Sequence, residues 1–141
     1  MKKVLVAVDG SKNSNKALLK AKVIAQSFGS DIDILTVVRT AVVSPYITVE
    51  YTPVQSNLSF VRFGEEVLSE SLNFFDDFDG EVTTVLKSGD PAETIIKVSE
   101  AGEYDLLVMG SRGLGTFSRT MLGSVSTKVL NHTDTNVLIV K

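Results

Sequence analysis

Apolar positions along this chain recur with two periods that take turns from one end to the other. Lys3 to Asp9 (Lys-Val-Leu-Val-Ala-Val-Asp) is a continuous β-branched apolar run, the pattern of a strand covered on both faces. Ala17, Leu18, Ala21, Ile24, Ala25 and Phe28 then recur at intervals of three and four, which predicts a helix capped by Ser11, Asn13 or Ser14 and stopped at Gly29. Asp31 to Val38 begins alternating and ends apolar, a second strand. The period is lost from Arg39 to Asn57, a stretch with Pro45 and Pro53 that reads as a long excursion over the strand ends, lid-like in length and position. It returns as a helix from about Ser59 to Phe75, with Val61, Val67, Leu68, Leu72 and Phe75 inward.

The second half repeats the alternation. Glu81 to Lys87 predicts a third strand, and Asp90, Pro91 and Glu93 give cap, first helical position and capping-box acid for a helix ending near Ala101 and Gly102. Asp105 to Met109 predicts strand four, Ser124 to about Asn131 a last helix carrying Val125, Val129 and Leu130, and Asn136 to Val140 a terminal strand. Strands alternating with helices, each connection long enough for a right-handed crossover, predict one α/β domain over residues 1–141. Its architecture is a doubly wound, mostly parallel five-stranded sheet of Rossmann-like type, helices on both faces, with no internal repeat or linker.

Composition narrows the function. At 141 residues with 43% hydrophobic and 22% charged positions, the chain is an ordinary globule with one core. No apolar run reaches the ~18 residues of a membrane span, and Met-Lys-Lys leads straight into a strand instead of a signal peptide, so the expected location is cytoplasmic. Without cysteine there is no disulfide, thiol nucleophile or thiolate metal site. A net charge of −3 gives no basic field for nucleic acid, although Arg112 and Arg119 make one local anion-attracting spot. Asp76, Asp77 and Asp79 cluster before Gly80 without metal-ligand spacing and read as a solvated turn.

The candidate chemistry lies between Val108 and Ser126. An apolar run stops at Gly110, glycines follow at 113 and 115, and Gly123-Ser124 opens the last helix: strand, glycine-rich loop, helix. Glycines there let the backbone approach a ligand, and the free N–H groups of the next helix suit a phosphate. The loop has no Gly-Lys-Ser/Thr, so it is not a Walker A loop, and it does not complete a dinucleotide fingerprint. Asp9 ends the first strand at the edge where open parallel sheets bind ligands, and it also suits a cap on the Gly10-Ser11 turn.

Taken together, Val-Leu-Val-Ala-Val-Asp-Gly-Ser, Gly-Asp-Pro-Ala-Glu-Thr-Ile, Tyr-Asp-Leu-Leu-Val-Met-Gly-Ser-Arg-Gly and Leu-Gly-Ser-Val-Ser resemble the universal stress proteins, in the branch that binds ATP, over almost the whole chain. That branch carries glycine, two residues, glycine, nine residues, glycine, then Ser or Thr, which Gly110, Gly113, Gly123 and Ser124 satisfy. The resemblance implies that Asp9 and Val37 sit by ribose and adenine with Met109 alongside. It implies that Gly110, Arg112 and Gly113 wrap sugar and phosphates, while Gly123, Ser124, Val125 and Ser126 hold the phosphates of ATP, with Mg2+ carried through them. It also implies a homodimer through strand 136–140, although this chain has Thr135-Asn136-Val137 where the family commonly has a proline.

The loop has no phosphate-bridging lysine and no evident base, so the expected activity is binding with slow or no hydrolysis. A slow ATP hydrolase or phosphate-transferring enzyme, and a binder of AMP or another adenine ligand, remain the alternatives. His132 reads as a surface or capping residue.

Overall fold

The structure, a computed structural model, describes residues 1–39, 53–114 and 121–141, with 53–57 described by backbone alone. Along it run β1 (Lys3–Ala7), α1 (Lys12–Phe28), β2 (Asp31–Val38), α2 (Pro53–Leu72), β3 (Val82–Ser88), α3 (Pro91–Ala101), β4 (Leu106–Gly110), α4 (Ser124–His132) and β5 (Val137–Val140). A 3-10 turn, Asn73–Phe75, extends α2.

All four strand pairings are parallel, and the spatial order is β3-β2-β1-β4-β5. The chain steps outward from β1 to β2 and β3, then returns to the other side of β1 as β4. The winding direction therefore reverses between β1 and β4, which is where such sheets open a crevice beyond their carboxyl ends.

Val4, Val6, Ile32 and Ile34 pack against Ala17, Leu18 and Ala21 of α1 and Val67 and Leu68 of α2. Leu5, Ala7, Leu35 and Leu107 pack on the opposite face against Ile95 of α3 and Val129 of α4. Both faces are covered, which is why these strands are near-continuous apolar runs. Each fully buried Val, Leu or Ile contributes roughly 1.5–3 kcal/mol by leaving water. Helix α2 approaches its side unusually closely: a Cβ on Gly64 would stand 2.6 Å from Leu86 Cδ1 and 2.7 Å from Val38 Cγ1.

Local signals set the helix ends. Of three candidate caps, Ser11 takes the role, its side chain accepting from Ser14 N at 3.1 Å, and Gly29 closes α1 at φ 63°. Asp90 Oδ2 accepts from Glu93 N at 3.0 Å, with Pro91 first in α3.

Three expected inward residues are exposed instead: Phe28, Leu72 and Leu130. They stand in the last turns of their helices. Ser14 and Ser71 take up buried positions, their hydroxyls donating to Ser11 O (2.9 Å) and Val67 O (2.7 Å), which lets a small polar side chain serve as core.

Helix α2 starts at Pro53, before the expected Ser59, because proline's preset φ and missing N–H suit the first helical position. Of the excursion expected over 39–57, residues 53–57 belong to α2 instead, and residues 40–52, with the lid reading placed on them, lie outside the described residues. The aspartates before Gly80 form no metal cluster among the described residues. Asp77 pairs with Lys22, whose Nζ also donates to Phe74 O at 2.9 Å, tying α1 to the 3-10 turn. That pairing holds the Asp77 carboxyl below its ordinary range. No described helix is long and apolar enough to cross a membrane.

Candidate functional site

Beyond Ala7 the first strand keeps one more rung, Val8 N donating to Leu35 O at 2.9 Å, and then delivers Asp9 to the sheet edge. The Asp9 carboxylate caps the turn expected of it and also ties in a second loop. Oδ1 accepts from Ser11 N at 2.9 Å, fixing the turn into α1, and Oδ2 accepts from Leu114 N at 3.1 Å, reaching across to the glycine loop. This approach explains Gly113, since a Cβ there would overlap Asp9 Oδ2.

Gly110 has a different reason. A Cβ on it would lie 2.9 Å from the backbone carbon of Asn13 and 3.0 Å from its oxygen, so the glycine lets the first turn of α1 rest on the end of β4. The two ends of the loop are clasped, Gly123 N donating to Ser111 O at 2.7 Å. Ser126 Oγ donates to Gly110 O at 2.8 Å, which fixes α4 against β4. At the start of α4, Gly123 offers no capping side chain, so the first-turn N–H groups are left for an acceptor from outside. Its φ of −64° is ordinary, and an added Cβ would meet atoms no nearer than 3.5 Å.

Asp9, Val37, Met109, Gly110, Arg112, Gly113, Gly123, Ser124, Val125 and Ser126, drawn from β1, β2, β4 and α4, all line one cavity of about 370 Å³ at the reversal point. Sequence reasoning missed Arg39, Phe60, Phe63, Pro91, Ile95 and Leu114 on its wall. Arg39 lies two residues past Val37, and Leu114 sits inside the glycine loop, so position was a usable signal for both. The aromatic pair comes from α2, whose facing depends on packing. Among the described lining residues the charged side chains are Asp9, Arg39 and Arg112. Arg119 lies outside the described residues.

The remaining candidates stand elsewhere. Asp90 is the α3 cap, with Lys128 Nζ at 3.9 Å from its Oδ2. His132 is exposed in the last turn of α4, its Nδ1 2.8 Å from Lys128 O.

Comparison with known proteins sets this geometry in context. The sequence profile described as the universal stress protein family matches residues 1–141. A universal stress protein of Bacillus subtilis is 34% identical over 148 aligned positions, covering 99% of this chain and 98% of its own. Among solved structures, universal stress protein UspA from Lactobacillus plantarum matches with a TM-score of 0.84 at 26% identity, covering 99% of this chain and 97% of that one. A family member from Arabidopsis thaliana solved with AMP bound shares the fold at a TM-score of 0.69 and 24% identity, covering 100% of this chain and 92% of its own. A family profile matched from end to end, and a relative this similar over nearly its full length, make the chain a member of the universal stress protein family.

Proposed function

We infer that the cavity holds an adenine nucleotide, ATP by preference, and that the protein works as a nucleotide-loaded regulatory module of the stress response. The observation that carries this reading is the convergence of three separate segments, the ends of β1 and β2 and the clasped loop leading into α4, on one cavity at the switch point. Its volume, about 370 Å³, falls within the range of small-ligand sites. The AMP carried by the Arabidopsis relative supports the adenine class.

In this reading Asp9 accepts from a ribose hydroxyl, Val37 and Met109 lie against the base, and Arg112, Gly113, Gly123 and Ser124 to Ser126 hold phosphates. Gly110 serves by admitting α1, and Ser126 contributes its backbone N–H because its hydroxyl is engaged by Gly110 O. Hydrogen bonds to a charged acceptor contribute roughly 1.5–3 kcal/mol each, non-additively, so three or four donors supply useful affinity. Among the described residues no three metal-ligating side chains converge, so Mg2+ would travel on the phosphate oxygens.

Slow or absent turnover follows from the same wall. Its one described carboxylate, Asp9, accepts from two backbone amides, a poor arrangement for a base. The dimer belongs to this proposal as well. Strand β5 is a sheet edge whose four residues are only half-buried, which suits pairing with its copy in a second chain.

The test is to denature purified protein, analyse the released small molecules by ion exchange, and titrate ATP with Mg2+ into emptied protein by calorimetry. Bound or titratable ATP is the expected result; no adenine nucleotide and no heat would overturn the reading. Phosphate release that survives further purification and disappears in Gly123→Val would favour the hydrolase instead.

A further inference from the structure

Three strand ends in the middle of the sheet carry charge in a fixed order. Arg39 follows β2, Asp9 follows β1, and Arg112 with the uncapped start of α4 follows β4. Neighbouring strands lie ~4.8 Å apart, so the backbone leaves β2 toward Arg39 and β4 toward Arg112 on either side of the β1 end that carries Asp9, roughly 10 Å apart. Arg112 is explained by the phosphates already assigned to α4. Arg39 is not: it lines the cavity, is exposed, and makes no hydrogen bond or ion pair with a described residue. A guanidinium stays charged at any relevant pH and presents a donor fork matched to phosphate or carboxylate oxygens.

A ligand complementary to this order has a hydroxyl donor in the middle and an anion on each side. With the base against Val37 of β2 and the 5′-phosphate at α4, the ribose carbon next to the base, C2′, lies on the β2 side, so a 3′-hydroxyl donating to Asp9 leaves the 2′ position facing the end of β2. We propose that Arg39 is a specificity-determining residue that makes the cavity favour nucleotides bearing a second phosphate on the ribose, adenosine 2′,5′-bisphosphate being the simplest. The proposal rests on the adenine-nucleotide reading of this cavity and adds a ligand class to it.

The experiment compares adenosine 2′,5′-bisphosphate with ADP, which has the same number of phosphates all on the 5′ side, and with AMP, by calorimetry on emptied protein. One additional charge-assisted contact corresponds to roughly tenfold in affinity. The bisphosphate is therefore expected to bind roughly tenfold more tightly than ADP. This ratio should fall toward one in Arg39→Gln and be partly kept in Arg39→Lys. A wild-type protein that binds ADP as well as the bisphosphate, or a ratio that survives in Arg39→Gln, overturns the proposal while leaving nucleotide binding in place. Failure of all three ligands and of ATP to bind overturns both readings.

Discussion

The two ends of the sheet use aspartate in opposite ways. At the amino ends of the strands Asp33 is 7% exposed, and its Oδ2 receives both Tyr104 Oη at 2.5 Å and Lys3 Nζ at 2.8 Å. Lys3 also lies 4.9 Å from the centre of the Tyr104 ring. Next to them Asp105 Oδ2 accepts from the backbone N–H groups of Lys2 and Lys3. These carboxylates accept from donors on other segments of the chain, Asp33 from Lys3 of β1 and Tyr104 just before β4, Asp105 from the start of β1, and the result is a clamp. At the carboxyl ends Asp9 is half-buried, bonded to amides of two loops, and set in a cavity wall. Asp33, buried and held by Lys3 and Tyr104, stabilises the fold, whereas Asp9 bridges two loops at the wall of the cavity proposed to take the ligand.

That contrast can be broken at either end. The largest effect is expected from Gly123→Val, which places branched carbons at the mouth of α4. Nucleotide affinity should fall by roughly a hundredfold or more, and the melting temperature should move little, because an added Cβ meets only ordinary contacts. Calorimetry alongside thermal melting checks both halves.

Asp33→Ala should do the reverse, costing about 2 kcal/mol in urea unfolding by stranding Tyr104 and Lys3 while leaving nucleotide affinity within twofold. Loss of binding without loss of stability would erase the distinction between the two ends. Tyr104→Phe, which keeps the ring and removes one donor, should cost about 1 kcal/mol.

Proton linkage gives the smallest and most selective tests. Burial, reinforced by the bond to Asp33, raises the Tyr104 phenol above its ordinary range. A proton held more tightly in the folded state contributes fully below about pH 10, and that contribution is lost as pH rises further. Tyr104→Phe should therefore flatten the alkaline limb of the stability profile. Asp105 is shifted the other way, its carboxyl lowered by the Lys3 and Lys2 amides. Its contribution is present above about pH 4 and fades as pH falls below that, so Asp105→Asn should make the acid limb shallower.

Much of this was legible in the sequence because the sheet is buried on both sides. Lys3 to Asp9 and Asp31 to Val38 could be read as strands from their residues, the first ending at Ala7 in the structure, and the order of elements followed from their spacing. Helix edges were harder, since Phe28, Leu72 and Leu130 satisfy the period yet stand in last turns, where the buried stripe has rotated away. The ten candidate site residues were named from glycine spacing and family resemblance, and the fold gathers them at one cavity. What spacing could not convey was the division of labour among the glycines. Gly110 yields to Asn13 and Gly113 to Asp9, contacts between segments far apart in sequence. Nor could it show that the network of Lys3, Asp33 and Tyr104 exists, because each residue alone looks like a surface position.

The Ser111–Gly123 clasp has a consequence for engineering. That bond brings Ser111 and Gly123 together on the sheet, and Leu114 N is held by Asp9 Oδ2 besides, so the seating of β4 and α4 does not depend on the length of chain between Leu114 and Gly123. Doubling the length of a loop adds only about 0.6 kcal/mol of closure entropy, so a longer insert or a small reporter spliced after Leu114 is expected to be tolerated. Strand β4 and helix α4 would stay seated, and ligand occupancy could be turned into a signal at the insertion point.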